Sequence, residues 1–293
     1  MTSWQFGHVR IDRIIEFERP LFSPADLYPA STPEQIDYHR RWLEPRLLDP
    51  ASGLLMLAFH SFLIRTGRVT IIVDTCSGND KPRPKKPRYH MNRWPYLERL
   101  AALGVAPERV DFVLCTHLHV DHVGWNTRLV NGRWVTTFPN AKYLFNRAEW
   151  EYWQTTYKRP EFTDDPYYID SILPVIESGQ AVFITGDYAF GDDAWLEPSA
   201  GHTPGHVSVH VRVGDAHAIM SGDLMHHPIQ CAEPQWNSCF CVDNVGARVS
   251  RMKLLERYAE TRTLIMPAHF PSPTAGHVVR AGRAFHFAFE GTA

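Results

Sequence analysis

Long apolar runs are missing from this 293-residue sequence, and no stretch approaches the roughly 18 apolar residues that a membrane-spanning helix requires. An excess of one charge is missing too, because 30 Lys and Arg residues nearly balance 32 Asp and Glu residues, for a net charge of -2. No global field would draw such a chain to nucleic acid or to an anionic membrane. We therefore expect neither partner.

Cysteine is scarce and scattered. The five cysteines are an odd number, and their spacing is typical neither of a disulfide framework nor of paired zinc ligands. The first residues show no basic segment followed by an apolar one, so no secretory signal is visible. These features predict reduced thiols and a cytoplasmic protein.

Histidine, in contrast, is abundant, with 16 residues. Four potential metal ligands stand close together, at His117, His119, Asp121 and His122, directly after the apolar run 110–115. That run predicts a buried strand, and residues two apart on an extended segment project to the same side. Imidazole and carboxylate together suit zinc and similar metals. A histidine-rich turn that binds nothing is less favoured, because a solvated turn rarely needs these four side chains beside a buried strand.

Later stretches place further metal-competent residues beside predicted strands. His202 and His206 flank a Thr-Pro-Gly turn before one strand, and Asp223 and His269 each follow another. Each is weak alone, since a histidine after a glycine turn is usually a surface residue. One metal-competent residue from each of these three stretches, added to the four of the first cluster, gives seven ligands, enough for two metals.

The predicted strands fall into two clusters, each mixed with helices, and no linker or internal repeat separates the halves. The best physical interpretation is one α+β domain over 1–293, with two mixed sheets face to face and helices outside. Residues 1–50 read as an N-terminal arm, irregular where proline recurs, that packs on this domain or on a partner subunit. The basic, proline-rich segment 80–88 predicts a solvated, mobile loop, with a role in binding an anionic substrate as the alternative.

The combined ligand pattern resembles that of the metallo-β-lactamase-fold hydrolases. The resemblance rests on the motif at 117–122, the Gly-His-Thr-Pro-Gly-His stretch at 201–206, Ser-Gly-Asp at 221–223 and Pro-Ala-His at 267–269. It covers the chain roughly from 54 to 269. It implies a four-layer αβ/βα sandwich, in agreement with the two strand clusters.

The resemblance also implies the role of each residue. It implies two divalent ions, most simply zinc, with iron, manganese or cobalt as alternatives. The ligands would be His117, His119 and His206 for one ion, Asp121, His122 and His269 for the other, and Asp223 as a bridge, with His202 in support. A hydroxide shared by the ions would attack the substrate, and Asp121 or Asp223 could pass the proton to the leaving group.

Within this family, the long N-terminal segment and the chain length resemble the branch of N-acyl-homoserine lactonases and methyl-parathion-hydrolase-like phosphotriesterases. The same resemblance makes a homodimer plausible. Many of those lactonases have a tyrosine three residues after the bridging aspartate, where this chain has His226, and the phosphotriesterase-like members tend to have histidine. His226 could donate a hydrogen bond to a carbonyl or phosphoryl oxygen, or it could bond to backbone in support of a ligand.

Four apolar side chains are predicted to form a substrate wall, namely Phe22, Trp125, Met225 and Phe270. Such a wall favours lactones and acyl or aryl esters over highly charged substrates. The predicted function is a dinuclear metal-dependent hydrolase acting on a lactone or carboxylic ester, a quorum-quenching-type lactonase or an esterase. A phosphotriesterase and an iron-dependent oxidative enzyme are the alternatives.

Overall fold

The structure is a computed structural model, and it describes residues 2–159 and 166–291. The chain forms two compact units. The first consists of the residues up to Phe17 together with Phe59–Leu196, and the second consists of Glu18–Ala58 and the residues from Glu197 onward. The chain passes from one unit to the other three times.

The described residues contain strands, helices and short turns with the following bounds. The strands are β1 Ser3–Phe6, β2 Val9–Phe22, β3 Leu55–Arg65, β4 Thr70–Val73, β5 Phe112–Leu114, β6 Thr127–Val130, β7 Arg133–Thr136, β8 Lys142–Asn146, β9 Ala181–Ile184, β10 Ala194–Pro198, β11 Val207–Val213, β12 Ala216–Gly222, β13 Leu264–Pro267, β14 Gly276–Ala281 and β15 Ala284–Phe289. The helices are α1 Pro24–Leu27, α2 Pro33–Leu43, α3 Tyr96–Ala102, α4 Arg147–Thr156, α5 Leu173–Glu177, α6 Ile229–Ala232 and α7 Asn244–Tyr258. Two 3₁₀ turns and one π-helical turn lie at Pro107–Arg109, Gly124–Asn126 and Tyr168–Ile172.

A seven-stranded sheet has the order β1-β2-β3-β4-β5-β8-β9. Strands β4, β5, β8 and β9 run parallel, so their carboxyl ends meet at one edge. The apolar side chains of β4 and β5 are largely buried, as expected for a parallel sheet covered on both faces. The motif 117–122 follows β5 and therefore begins at this carboxyl edge.

A six-stranded sheet has the order β10-β11-β12-β13-β14-β15. Strands β12 and β13 are parallel, and Asp223 and His269 follow their carboxyl ends. Helix α7 packs Leu254 and Leu255 into the apolar cluster that also contains Ile219 and Ile265 of these two strands. This packing fixes the edge from which both metal-competent side chains emerge.

The turn that carries His202 depends on a glycine. Gly201 has φ +136°, and a Cβ there would lie 2.1 Å from the backbone nitrogen of Ala247 at the start of α7. Only glycine permits so close an approach in this backbone conformation. The turn is held further by the N–H of Asp243, which donates to the carbonyl of Gly201 at 2.9 Å.

The N-terminal 50 residues are more regular than an arm. Strands β1 and β2 belong to the seven-stranded sheet, and Pro20 lies within β2. Proline also begins α2, where Pro33 follows Thr32, and Thr32 forms a capping box with Gln35. Proline is favoured at the first helical position, so its recurrence here marks helix starts as well as loops. Within the described residues, no helix is long and apolar enough to cross a bilayer.

The prediction of a solvated loop at 80–88 is wrong for its anchor residues. Lys81 and Arg83 are fully buried, and the Arg83 guanidinium donates to both carboxylate oxygens of Asp170 at 2.6 and 2.8 Å. The loop closes on itself, because the N–H of Met91 donates to the carbonyl of Lys81 at 2.8 Å. Composition alone cannot show that an acidic partner lies about 90 residues further along the chain.

Candidate metal centre

In the first unit, the chain after β5 brings four metal-competent side chains together. His117 Nε2 lies 3.0 Å from His119 Nδ1, and the His117 and His122 ring centroids are 4.0 Å apart. Asp121 Oδ1 lies 4.0 Å from His122 Nε2. The convergence of imidazole nitrogens and a carboxylate is the donor set that divalent metals such as zinc prefer.

Asp74, at the end of β4, orients this cluster. Its carboxylate accepts the backbone N–H of Thr116 at 2.7 Å and the Thr116 hydroxyl at 2.9 Å. The Oδ2 atom of Asp74, which accepts the Thr116 hydroxyl, also lies 2.9 Å from His122 Nδ1. A carboxylate beside one ring nitrogen leaves the other nitrogen for a metal, so this contact fits a ligand role for His122.

A second carboxylate supports the His-x-His segment from helix α4. The buried Glu149 accepts the backbone N–H of Leu118 at 3.1 Å and the indole N–H of Trp153 at 2.9 Å. The Trp153 ring in turn stands edge-on to His119, with centroids 5.4 Å apart. The sequence reasoning missed Glu149 and Asp74, because neither lies near the motif in the chain.

In the second unit, three histidines surround one buried carboxylate. The Nε2 atoms of His202, His226 and His269 lie 3.3, 3.2 and 3.1 Å from oxygens of Asp223. Burial lowers the pKa of His202 to about 3, so this imidazole is neutral at pH 7. Neutral imidazole is the form that binds metals.

The backbone holds His269 in an orientation suited to a ligand. Its Nδ1 donates to the carbonyl of Ala58 at 3.1 Å, and the carbonyl of His269 accepts the N–H of Ala58 at 3.0 Å. The Nε2 atom is thereby directed toward Asp223. A backbone acceptor on Nδ1 fixes the tautomer of His269 and leaves Nε2 for a metal.

The geometry reverses the roles implied for His202 and His206. His206 uses Nδ1 to contact the Ser199 hydroxyl at 2.8 Å and uses Nε2 to accept the backbone N–H of Asp223 at 2.9 Å. With both ring nitrogens engaged by protein, His206 supports the position of Asp223. His202 Nε2 instead faces the Asp223 carboxylate, so the ligand position passes to His202.

His226 turns its ring toward side chains. Besides Asp223, its Nε2 lies 3.3 Å from the Ser238 hydroxyl, and its backbone N–H donates to the side chain of Gln230 at 2.7 Å. Ser238 also lies 3.5 Å from the Cys241 sulfur, which is 3.5 Å from His202 Nδ1. Sequence reasoning had no signal for this part of the site.

Three of the four predicted wall residues pack in the core of their own unit. The Trp125 indole stacks on Tyr96 with centroids 5.1 Å apart and donates to the buried Glu16 at 2.8 Å. Met225 and Phe270 belong to the apolar cluster around helix α7 and have no exposed surface. Proximity to ligands along the chain misled the prediction, because these side chains point into their own cores.

Phe22 is the exception among the predicted wall residues. Its ring meets Phe240 edge-to-face, with centroids 5.7 Å apart, and Phe240 is 41% exposed. The Phe240 ring lies 6.4 Å from that of His226. This aromatic pair gives the second unit an accessible apolar surface beside His226.

Sequence comparison gives relatives with a recorded activity. N-acyl homoserine lactonase AttM of Rhizobium radiobacter is 31% identical over 139 residues, which are 43% of this chain and 48% of that protein. An N-acyl homoserine lactonase of Bacillus sp is 31% identical over 110 residues, 38% of this chain and 36% of that protein. The chain thus spans about half the length, or less, of the curated relatives it matches.

Solved structures resemble the whole chain. The hydrolase AbOPH of the beta lactamase superfamily superposes with a TM-score of 0.79 at 23% identity, over 99% of this chain and 97% of that one. AidC, a dizinc quorum-quenching lactonase in complex with a product, superposes with a TM-score of 0.78 at 18% identity, over 100% and 98%. At these identities the likeness confirms the predicted fold class.

The family itself is shown by a direct match. Residues 60–269 match the model of the Metallo-beta-lactamase superfamily, and this range contains every proposed ligand. The two mixed sheets with their helices agree with that fold. The chain belongs to the metallo-β-lactamase superfamily.

Proposed function

We propose that the chain is a metal-dependent hydrolase that opens lactones or cleaves carboxylic esters, as a quorum-quenching-type lactonase or an esterase. The observation that carries this proposal is the convergence of His202, His226 and His269 on the carboxylate of Asp223. Family membership and the names of the curated relatives support the same chemistry. We propose a small apolar lactone or ester as the substrate, and a homodimer stays a prediction.

Each unit offers imidazole and carboxylate donors, which are the types that divalent ions bind. We propose His117, His119 and His202 for one ion, Asp121, His122 and His269 for the other, and Asp223 as the bridge. Zinc suits this mixture of nitrogen and oxygen donors, and iron, manganese or cobalt would accept it too. When bound, two such ions would lower the pKa of a bound water enough to supply hydroxide near pH 7 and would polarise the substrate carbonyl.

The protein groups around the ligands have distinct roles in this proposal. The Asp121 side chain is 14% exposed and that of Asp223 is 4% exposed, which favours Asp121 as the group that carries the proton to the leaving oxygen. His226 would donate a hydrogen bond to the substrate oxygen from its place beside Asp223. Phe22 and Phe240 would hold the apolar acyl part.

A phosphotriesterase is the second candidate. The specific observation in its favour is His226, since phosphotriesterase-like members tend to have histidine where many lactonases have tyrosine. The buried ring faces Asp223, where a donor could serve a phosphoryl oxygen as well as a carbonyl. The two candidates share the same metal chemistry and differ in the substrate.

A hydrolysis panel on metal-reconstituted protein tests both candidates. It should include homoserine lactones of different acyl length, other lactones, aryl esters, a cephalosporin and a phosphotriester, with oxygen uptake measured in parallel. Asp223→Ala should abolish turnover, whereas Asp215→Ala, at an exposed turn of the same unit, should leave it unchanged. Full activity of the Asp223 variant would contradict the site assignment. Oxygen consumption without hydrolysis would favour the iron-dependent oxidative alternative.

A further inference from the structure

The loop 80–92, which includes the basic segment 80–88, brings a tyrosine hydroxyl close to a proposed ligand. Tyr89 is 6% exposed, and its hydroxyl lies 3.4 Å from Oδ2 of Asp121. Its ring stands edge-to-face against Phe59, with centroids 5.8 Å apart. Because an ionised carboxylate has only acceptors, the phenol is the donor in this contact.

The two oxygens of Asp121 therefore have different surroundings. Oδ1 lies 4.0 Å from His122 Nε2, whereas Oδ2 faces Tyr89. We propose that Tyr89 is a positioning residue that holds Oδ2 and leaves Oδ1 for the ion that Asp121 shares with His122. This inference rests on the proposed function, because it assigns a partner to a ligand of the proposed metal centre.

The basic residues of the loop supply the rigidity that this role requires. Arg83 is clamped on Asp170, and the Lys81 ammonium donates to the Thr127 hydroxyl at 2.6 Å while lying over the Trp134 ring at 3.7 Å. The Arg83 N–H also donates to the ring of His90, next to Tyr89, at 2.9 Å. A loop fixed at these points holds Tyr89 in one position. Lys81 and Arg83 therefore have a structural role in this loop.

Tyr89→Phe separates this role from packing, because phenylalanine keeps the ring against Phe59 and removes only the hydroxyl. Loss of a hydrogen-bond partner behind a metal ligand commonly costs about 10- to 100-fold in metal affinity. We expect the ion at Asp121 and His122 to bind about 10-fold more weakly. The other ion should bind as in the unchanged protein.

The experiment is a zinc titration against a chromogenic chelator, together with thermal unfolding of the metal-free protein. Tyr96→Phe is the matched control, because it removes another buried hydroxyl of the same unit, one that donates to Ser61 at 2.7 Å. We expect the control to bind both ions normally. The melting temperature of the metal-free Tyr89→Phe protein should match that of the unchanged protein.

The outcomes distinguish this inference from the proposed function. If Tyr89→Phe binds both ions with unchanged affinity, the positioning role is wrong and the proposed function stands. If both ions weaken equally and the metal-free protein also melts lower, Tyr89 is structural and the positioning role is again overturned. If the unchanged protein binds fewer than two ions, the proposed dinuclear centre fails and this inference fails with it.

Discussion

Glu149 shows how a single buried carboxylate can support a metal-binding segment without being a ligand. It accepts the Leu118 N–H and the Trp153 indole N–H from helix α4. Hydrogen bonds to a charged acceptor are stronger than those to a neutral one, so Glu149→Gln keeps the shape and weakens both bonds. We expect the variant to lose about 1–2 kcal/mol of unfolding free energy, measured by urea denaturation of the metal-free protein.

The control for this prediction lies on the same helix. Glu151 is exposed, and Glu151→Gln should change the free energy of unfolding by less than about 0.5 kcal/mol. Similar losses in the two variants would show that the helix responds to charge alone. The support that Glu149 gives to the segment would then be excluded.

The choice between His202 and His206 marks the limit of the sequence at the scale of residues. Both follow a glycine, and a pattern of residue types does not show which imidazole is hydrogen-bonded to the protein backbone. The decision depends on Asp223, whose N–H donates to His206 and whose carboxylate faces His202. The first motif was easier to interpret, because its four ligands lie within six residues directly after one buried strand.

At the scale of elements, the hairpin of β11 and β12 contains a pair of buried histidines outside the metal centre. His210 Nδ1 lies 3.0 Å from His217 Nε2, and His217 Nδ1 lies 3.2 Å from the Thr263 hydroxyl. Burial is the main cause that lowers the pKa of each to about 4. The Glu197 carboxylate raises the pKa of both histidines and so opposes the effect of burial. Arg212 and Arg257 lower the pKa of both, and Lys253 lowers that of His210.

The hairpin should therefore be sensitive to acid. In the unfolded chain these histidines bind protons near pH 6.5, so between pH 6.5 and 4 the unfolded state holds more protons than the folded state. The free energy of unfolding should fall as the pH drops through this window, by on the order of 2 kcal/mol for each histidine at pH 5, and should not depend on these groups above pH 7. Melting temperatures of the metal-free protein at pH 7.5, 6 and 5 measure this. The double variant His210→Gln, His217→Gln should show a smaller pH dependence, and an identical dependence would refute the assignment.

The anchored loop gives a second prediction at this scale. Asp170→Asn removes the carboxylate that faces Lys81 and Arg83, and it leaves the buried Arg83 guanidinium without its counter-charge. Burial already lowers the pKa of Lys81 to about 7, so this lysine can release its proton in the variant. Breaking a buried ion pair typically costs about 3–5 kcal/mol. The exposed pair of Asp37 and Arg40 is the contrast, since Asp37→Asn should cost less than about 1 kcal/mol. Urea denaturation of the two variants compares them, and equal costs would mean that the loop is not held by Asp170.

Elements whose apolar residues recur with one clear period could be predicted from the sequence. Elements in which polar and apolar residues mix without a period could not. Strands β3 and β4 and helix α4 follow from their apolar spacing, whereas α7 also has apolar residues at exposed positions, Val245 and Val249. The hairpin of β6 and β7 was missed because polar and apolar residues mix in its short strands, although Asn131-Gly132 between them is a turn signal. Proline misled in the opposite direction, because Pro20 lies inside a strand and Pro33 begins a helix.

At the scale of the whole molecule, the proposed ligands come from both compact units, with four in the first and His202, Asp223 and His269 in the second. A ligand that binds only the folded chain adds about 2.7 kcal/mol of stability at 100 times its dissociation constant. Removal of the metals by a chelator should therefore lower the melting temperature. Amide exchange should accelerate at 116–122 in the first unit and at 222–226 in the second.

Zinc should restore the slow exchange of both segments, whereas magnesium should not, because magnesium prefers oxygen ligands. If only one segment responds, the ligands assigned in the other unit are wrong, and the metals belong to one unit alone.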